Sequence, residues 1–228
     1  MKAILENEEL VTLFKDNFPF WDKLSQTEKE TFVNSSQYIS FRKGTNIHNG
    51  NECTGIILIR TGSLRLYILS DEGKEITLYR LFPGEMCMLS ASCVLNNITF
   101  DVFVDAEENS ECIIVGGCAY ASLSERCDAA KIFALETALS HFSDVMWVMQ
   151  QILFMSMDKR LAIFLLDEIS KVGGDTVHLT HEQIAKYLGS AREVVTRMLK
   201  YFSSEGIVEL SRGGIKITDI KKLRNLAM

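Results

Sequence analysis

Hydrophobic and polar positions along this chain follow three successive periods. From about Ser35 to Cys118 the apolar residues come in short runs cut by glycines: Gly55-Ile-Ile-Leu-Ile-Arg60, Gly62-Ser-Leu-Arg-Leu-Tyr-Ile-Leu69 and Ile76-Thr-Leu-Tyr-Arg80. Runs of that length read as strands of an all-β barrel or roll. Gly44, Gly50, Gly62, Gly73 and Gly84 recur every 6–12 residues, and Asp71-Glu72-Gly73-Lys74 between two runs carries hairpin-turn chemistry. Ahead of the strands, Asn7 to Phe32 patterns as short helices capping the roll.

From about Glu125 the period changes. Ile132, Leu135, Leu139, Phe142, Met146, Met149 and Leu153 alternate three and four apart, a heptad seam on one long helix. Such a stripe can pack on its own domain, or it can pair with a second copy of the same helix; its length favours a parallel dimer. A further helix opens at Asp158-Lys159-Arg160 and closes at Val172-Gly173-Gly174. These changes of period divide the chain into a β-roll over residues 1–124, a dimerisation helix over 125–155 and a C-terminal domain over 156–228.

The third pattern lies at 179–206. Thr180 followed by Gln183 is a capping box that starts a short helix, with Ile184, Ala185 and Leu188 as its buried stripe. Gly189 ends it, and Ser190 is placed to cap the next. There Val195, Met198, Leu199 and Phe202 share one face, while Arg192, Glu193, Thr196, Arg197 and Lys200 share the other. Two short runs, Ile207-Val-Glu-Leu210 and Gly214-Ile-Lys-Ile-Thr218, flank Arg212-Gly213 as a hairpin. The whole reads as a winged helix-turn-helix.

Groove chemistry assigns the outer face. An arginine fork pairs with guanine O6 and N7, and a carboxylate accepts from cytosine N4, so Arg192, Glu193, Thr196 and Arg197 are the candidate base readers. Thr180, His181, Lys200 and Arg212 are the candidate phosphate contacts, which set register without reading sequence. Charge supports this division. The chain of 228 residues has a net charge of −6, yet residues 1–155 carry 12 Lys+Arg against 21 Asp+Glu, and residues 156–228 carry 12 against 9. An acidic front and a basic rear fit two domains with different partners.

The chain resembles the Crp/Fnr family of bacterial, catabolite-activator-like transcription regulators from about residue 20 to its end. In the rear the resemblance rests on Arg192-Glu193 with Arg197 four residues on. In the front it rests on Gly62-Ser-Leu-Arg-Leu-Tyr67, Gly73-Lys-Glu-Ile76 and Pro83-Gly84-Glu85. It implies an α+β chain: a double-stranded, jelly-roll-like effector domain of the cyclic nucleotide-binding type, a long dimerisation helix and a winged helix-turn-helix. It also implies a homodimer on a two-fold-symmetric double-stranded operator, with half-sites about 34 Å apart and related to TGTGA, and with RNA polymerase as a further partner.

The resemblance places an effector pocket at Gly84, Glu85, Met86, Cys87, Cys93, Phe100 and Asp101. Where the cyclic-nucleotide branch carries an arginine and a hydroxyl for the phosphate, this chain has Phe100 and Asp101. A carboxylate facing a phosphate in a low-dielectric pocket is repulsive, which argues against cyclic AMP or cyclic GMP. The cluster-binding branch groups its cysteines near the amino terminus, whereas the first cysteine here is Cys53. Cys87 and Cys93 remain open to two readings. They can be small hydrophobes, or they can form a thiol switch or a soft-ligand site for haem, an iron–sulfur cluster or copper. The signal sensed, small molecule or redox, stays unidentified, and a regulator without an effector stays open too.

Several classes are disfavoured. Even the uncharged run between Asp144 and Asp158, broken by Gln150, Gln151 and Ser156, falls short of the roughly 20 apolar residues of a spanning helix. The opening Met1-Lys2-Ala3-Ile4-Leu5-Glu6 lacks a secretory core, so a cytoplasmic protein without membrane partners is expected. In that compartment the six cysteines read as thiols. No metal site is expected from the scattered His48, His141, His178 and His181. The alternative to a regulator is a cupin-like metal-dependent enzyme with a DNA-binding appendage. That chemistry needs several histidines converging in the barrel, and only His48 lies in the roll region. No nucleophile–base pair or phosphate loop is present, so a non-enzyme is expected.

Overall fold

The computed structural model describes residues 7–50, 53–91 and 100–228. The chain folds into two compact units, one of residues 1–69 and 78–145, the other of residues 70–77 and 146–228.

In the first unit, α1 (Asn7–Asn17), a 3₁₀ turn (Trp21–Lys23) and α2 (Gln26–Asn34) precede the strands. Ser25 starts α2 with a reciprocal capping box to Glu28. Phe14, Phe18, Phe20, Trp21 and Phe32 bury their rings edge to face beneath these helices. The roll is built from β1 (Ser36–Phe41), β2 (Asn46–His48), β3 (Ile56–Thr61), β4 (Leu64–Leu69), β5 (Glu75–Leu81), β6 (Met86–Cys87), β7 (Phe103–Ala106) and β8 (Ser110–Val115). They form two four-stranded sheets, ordered β1-β8-β3-β6 and β2-β7-β4-β5.

Antiparallel pairing runs through the roll; β8 sets Ile113 against Tyr38 on one side and Leu58 on the other. Ile57, Ile59, Leu64, Leu66, Leu81 and Val104 fill the interior. At Gly62 (φ +82°) an added Cβ would collide with Ser110 Oγ and lie 2.7 Å from Asn109 O, so the β3–β4 turn accepts only glycine. The expected hairpin turn closes at Ser70–Lys74 with Gly73 at φ +79°.

After α3 (Gly117–Ser124) comes α4 (Asp128–Phe154), a 27-residue helix. Its Ala130 and Ala134 are buried against the roll's aromatic cluster, and Val145 packs on the roll interior. The seven seam residues Ile132, Leu135, Leu139, Phe142, Met146, Met149 and Leu153 point away, with 44–64% of each exposed. The helix therefore packs Ala130, Ala134 and Val145 on its own domain and leaves the seven seam residues uncovered.

The second unit contains α5 (Met157–Val172), β9 (Thr176–Val177), α6 (His181–Leu188), α7 (Arg192–Ser204), β10 (Val208–Ser211), β11 (Gly214–Ile217) and α8 (Ile220–Ala227). Leu161, Leu165, Ile184, Leu188, Val195, Leu199, Phe202, Ile215 and Leu223 form its core. The wing is a three-stranded sheet ordered β10-β11-β9. In the 70–77 segment, Thr77 Oγ1 donates to Lys186 O at 3.1 Å, and Glu75 pairs with Lys186 Nζ at 3.0 Å. Among the described residues, no helix is long and apolar enough to cross a membrane.

Candidate nucleic-acid interface

Thr180 starts α6 as anticipated: its hydroxyl accepts from Gln183 N at 3.2 Å, and Gln183 Oε1 accepts from Thr180 N at 2.9 Å. The Thr180 hydroxyl also donates to Gln183 Oε1 at 3.0 Å, so it is occupied within the box. Gly189 closes the helix in the left-handed region (φ +57°), and Ser190 N reaches back to Ala185 O at 2.9 Å. Arg160 Nη2 donates to Leu188 O, setting a cation at the negative end of α6. The capping role expected of Ser190 is not observed; the residue ahead of α7 is Ala191, which caps with no side chain.

Val195, Leu199 and Phe202 anchor α7 in the core. Its opposite face carries Arg192, Glu193, Arg197 and Lys200, all exposed. Among the described residues, none of the four side chains meets an ion-pair or hydrogen-bond partner. Unpaired charges held on a rigid, packed helix are free to meet an incoming partner. Thr196 is half-buried between them, and its Oγ1 lies 3.0 Å from His181 Nδ1.

Beside this face, Thr180, His181 and Arg212 line a cleft of about 330 Å³ between the start of α6 and the wing. His178 lines it too, its Nδ1–H donating to Gly213 O at 2.7 Å. Burial holds the His181 imidazole below its usual range, and the Arg192 and Lys200 charges add to this, keeping the ring neutral. The eight residues assigned to DNA thus fall on α6, α7 and the wing. The one link between them that sequence reasoning missed is His181 to Thr196, because a hydrogen bond across fifteen positions leaves no periodic trace.

The described residues expected in the effector pocket are spread over different settings. Gly84 and Glu85 form a turn in which Glu85, exposed, accepts from Phe82 N at 2.8 Å through its carboxylate. Glu85 thereby closes its own turn. Met86 and Cys87 are buried on β6. Phe100 and Asp101 are exposed, and Asp101 sits against Gly50. Two largely buried arginines of the roll strands are matched with carboxylates, Arg65 with Asp105 at 3.4 Å and Arg80 with Glu107 at 2.6 Å.

The cysteines divide in a way the sequence did not anticipate. Cys53 is disulfide-bonded, which corrects the expectation of six thiols. Cys87, Cys112, Cys118 and Cys127 are free, and Cys93 lies outside the described residues. Complete burial pushes the Cys87 thiol up, away from the thiolate that redox or metal chemistry requires; it packs as a small hydrophobe. Among the described residues, no three His, Cys, Asp or Glu side chains gather as metal ligands.

An antiparallel roll, then a long helix, then a winged helix-turn-helix with an unpaired basic face define a DNA-binding regulator. Comparison with known proteins agrees. A model of the Crp-like helix-turn-helix domain matches residues 159–226. The crystal structure of a candidate transcriptional regulator of the Crp/Fnr family from Eubacterium rectale has 46% identity and a TM-score of 0.88, covering 93% of this chain and 99% of that one. The cyclic AMP receptor protein of Thermus thermophilus is 24% identical over 212 residues, 92% of this chain and 96% of its own. FixK2 from Bradyrhizobium japonicum shares the fold at 19% identity, with a TM-score of 0.67 over 85% of this chain and 98% of that one. The chain belongs to the Crp/Fnr family, and it is a DNA-binding transcription regulator, not an enzyme.

Proposed function

We propose that the protein acts as a homodimer on a two-fold-symmetric operator, with Arg192, Glu193, Thr196 and Arg197 reading base edges and Thr180, His181, Lys200 and Arg212 holding phosphates. The observation that carries this reading is the exposed face of α7, where Arg192, Glu193, Arg197 and Lys200 stand without partners among the described residues. The dimer rests on the seam from Ile132 to Leu153, whose exposure is what a parallel helix pair would cover. In this reading residues 1–124 sense, 125–155 pair and 156–228 bind DNA. The dimer works in the cytoplasm and engages RNA polymerase from its operator.

The β-roll in this proposal senses a small molecule or a redox signal. Cyclic AMP, which names the Thermus relative, is not the effector proposed here, because Phe100 and Asp101 stand where an arginine and a hydroxyl would meet its phosphate, and Asp101 offers that phosphate a carboxylate. A redox signal would be read at Cys53, which is disulfide-bonded, and not at Cys87, which is sealed in the core. The test begins by selecting a preferred duplex from a random pool with the purified protein. Fluorescence anisotropy then compares that duplex with a scrambled one, and sedimentation gives the oligomeric state. A palindromic consensus and a dimer are expected. A monomeric Leu139→Glu, Phe142→Glu variant should lose most of its affinity, and a wild-type monomer, or a pool with no consensus, would overturn the reading.

A further inference from the structure

His181 stands at the meeting point of the three elements assigned to DNA. It opens α6, its Nδ1 meets Thr196 on α7 at 3.0 Å, and it shares the cleft with Arg212 of the wing. The charged and titratable groups around it are Glu182 on its own helix, Arg192 and Lys200 on α7, and His178 and Arg212 across the cleft. The cations dominate, and in the free protein they oppose a further positive charge on the ring.

A DNA phosphate in this cleft reverses that balance. Its negative charge offsets the repulsion from the neighbouring Arg192, Lys200 and Arg212 cations, and it offers the imidazole an anionic acceptor. Hydrogen-bond direction changes with it. A neutral His181 with its proton on Nε2 takes the Thr196 hydroxyl hydrogen at Nδ1. A doubly protonated ring donates from Nδ1 to Thr196 Oγ1 and frees that hydrogen to point outward.

We propose that operator binding takes up one proton per subunit from solvent at His181, so that affinity rises as the pH falls, and that this proton turns Thr196 into a donor toward DNA. The proposal rests on the reading of this face as the DNA site, and adds to it a proton-linked contact residue. Phosphate proximity supplies the driving force, and the His181 to Thr196 bond carries the change from the backbone-contacting helix to the base-reading one.

The experiment measures Kd of the full-length protein for a duplex selected at pH 8, from pH 5.5 to 8.5 at constant ionic strength. Wild-type affinity is expected to strengthen toward acid by about ten-fold per subunit, about a hundred-fold for the dimer, the change that a one-unit rise in the pKa of each His181 on binding produces. His181→Gln keeps a hydrogen-bonding group beside Thr196 and should bind with a flat profile, whereas His178→Gln should keep the wild-type slope. Side-chain NMR of the four histidines reads the same event directly, as a His181 titration that moves upward when the duplex is added. A His181→Gln slope equal to wild type, or a His181 titration unmoved by DNA, overturns the proton uptake while sequence-preferring binding still upholds the DNA site. Loss of sequence preference at every pH overturns both.

Discussion

The imidazole of His141 lies flat on the phenol of Tyr79, with ring centroids 4.4 Å apart and planes 4° from parallel. This stack joins the long helix to the interior of its own roll. His141 Nε2 also donates to Met86 O at 3.0 Å, and its Nδ1 stands 3.6 Å from Asp144. The Tyr79 hydroxyl is buried with no partner among the described residues. Burial, then Cys87 and Asp144, push its ionisation far above the usual phenol range.

Two substitutions at this stack should have opposite outcomes. Replacing a buried, unpaired hydroxyl by hydrogen removes only a desolvation cost, so Tyr79→Phe should leave stability unchanged or raise it by up to about 1 kcal/mol. His141→Ala strips a ring stack and leaves Met86 O without its donor, so a loss of about 1–3 kcal/mol is expected. Urea denaturation followed by tryptophan fluorescence measures both; a destabilised Tyr79→Phe would mean that the hydroxyl has a partner.

His48 should make the roll acid-sensitive. Its Nδ1 is 2.8 Å from Thr54 Oγ1, and burial depresses its pKa, with Asp101 opposing weakly. The folded state therefore binds its proton less readily than the unfolded chain. The stability linked to His48 is present in full above the unfolded value near 6.5, and it is lost as the pH falls from there through the folded value. Unfolding free energies of wild type and His48→Gln, compared from pH 8 to pH 5, should converge toward acid. A constant difference would show that this histidine is not the titrating group.

On α7, base readers and phosphate contacts should separate by the kind of affinity they remove. Arg192→Ala and Arg197→Ala should each lower preference for the selected duplex over a scrambled one by about 1–3 kcal/mol, roughly 5- to 150-fold. Lys200→Ala should weaken both duplexes alike and lower the slope of log affinity against log salt by about 1. An anisotropy series at several salt concentrations reads both effects. If Lys200→Ala instead changes sequence preference, its assignment to phosphate fails.

Thiol labelling follows burial. Cys118 is exposed, while Cys87 and Cys112 are buried, with Cys112 pushed up to about 12. A native, non-reduced sample treated with a thiol reagent at pH 8 should label Cys118 first and Cys87 only on unfolding. Mass spectrometry of the labelled peptides tests this. Rapid modification of Cys87 in the folded protein would restore it as a redox residue.

The parts legible in the sequence are those written in local periods. Thr180 with Gln183, Gly189 and the buried Ile184, Val195 and Leu199 specify two helices and the turn between them within about 25 residues of chain, and the seam from Ile132 to Leu153 announces itself by spacing alone. What the sequence hides depends on neighbours distant along the chain. Tyr79 meets His141 across 62 positions, and β8 finds its place between β1 and β3 only through tertiary pairing. The Phe82 N–H bond to the Glu85 carboxylate likewise leaves no periodic trace. Cys53 carries no signal, since a disulfide depends on a partner's position and not on spacing.

Along α4 the chain leaves a ladder of seven large apolar side chains in water, from Ile132 to Leu153. Left uncovered, an apolar patch of that size is a self-association hazard. Two copies meeting in register would remove the hazard and at the same stroke create the active species. Abundance in the cell would then govern both how long the protein survives and whether it can occupy its operator, because the folded state and the assembled state would share one concentration dependence.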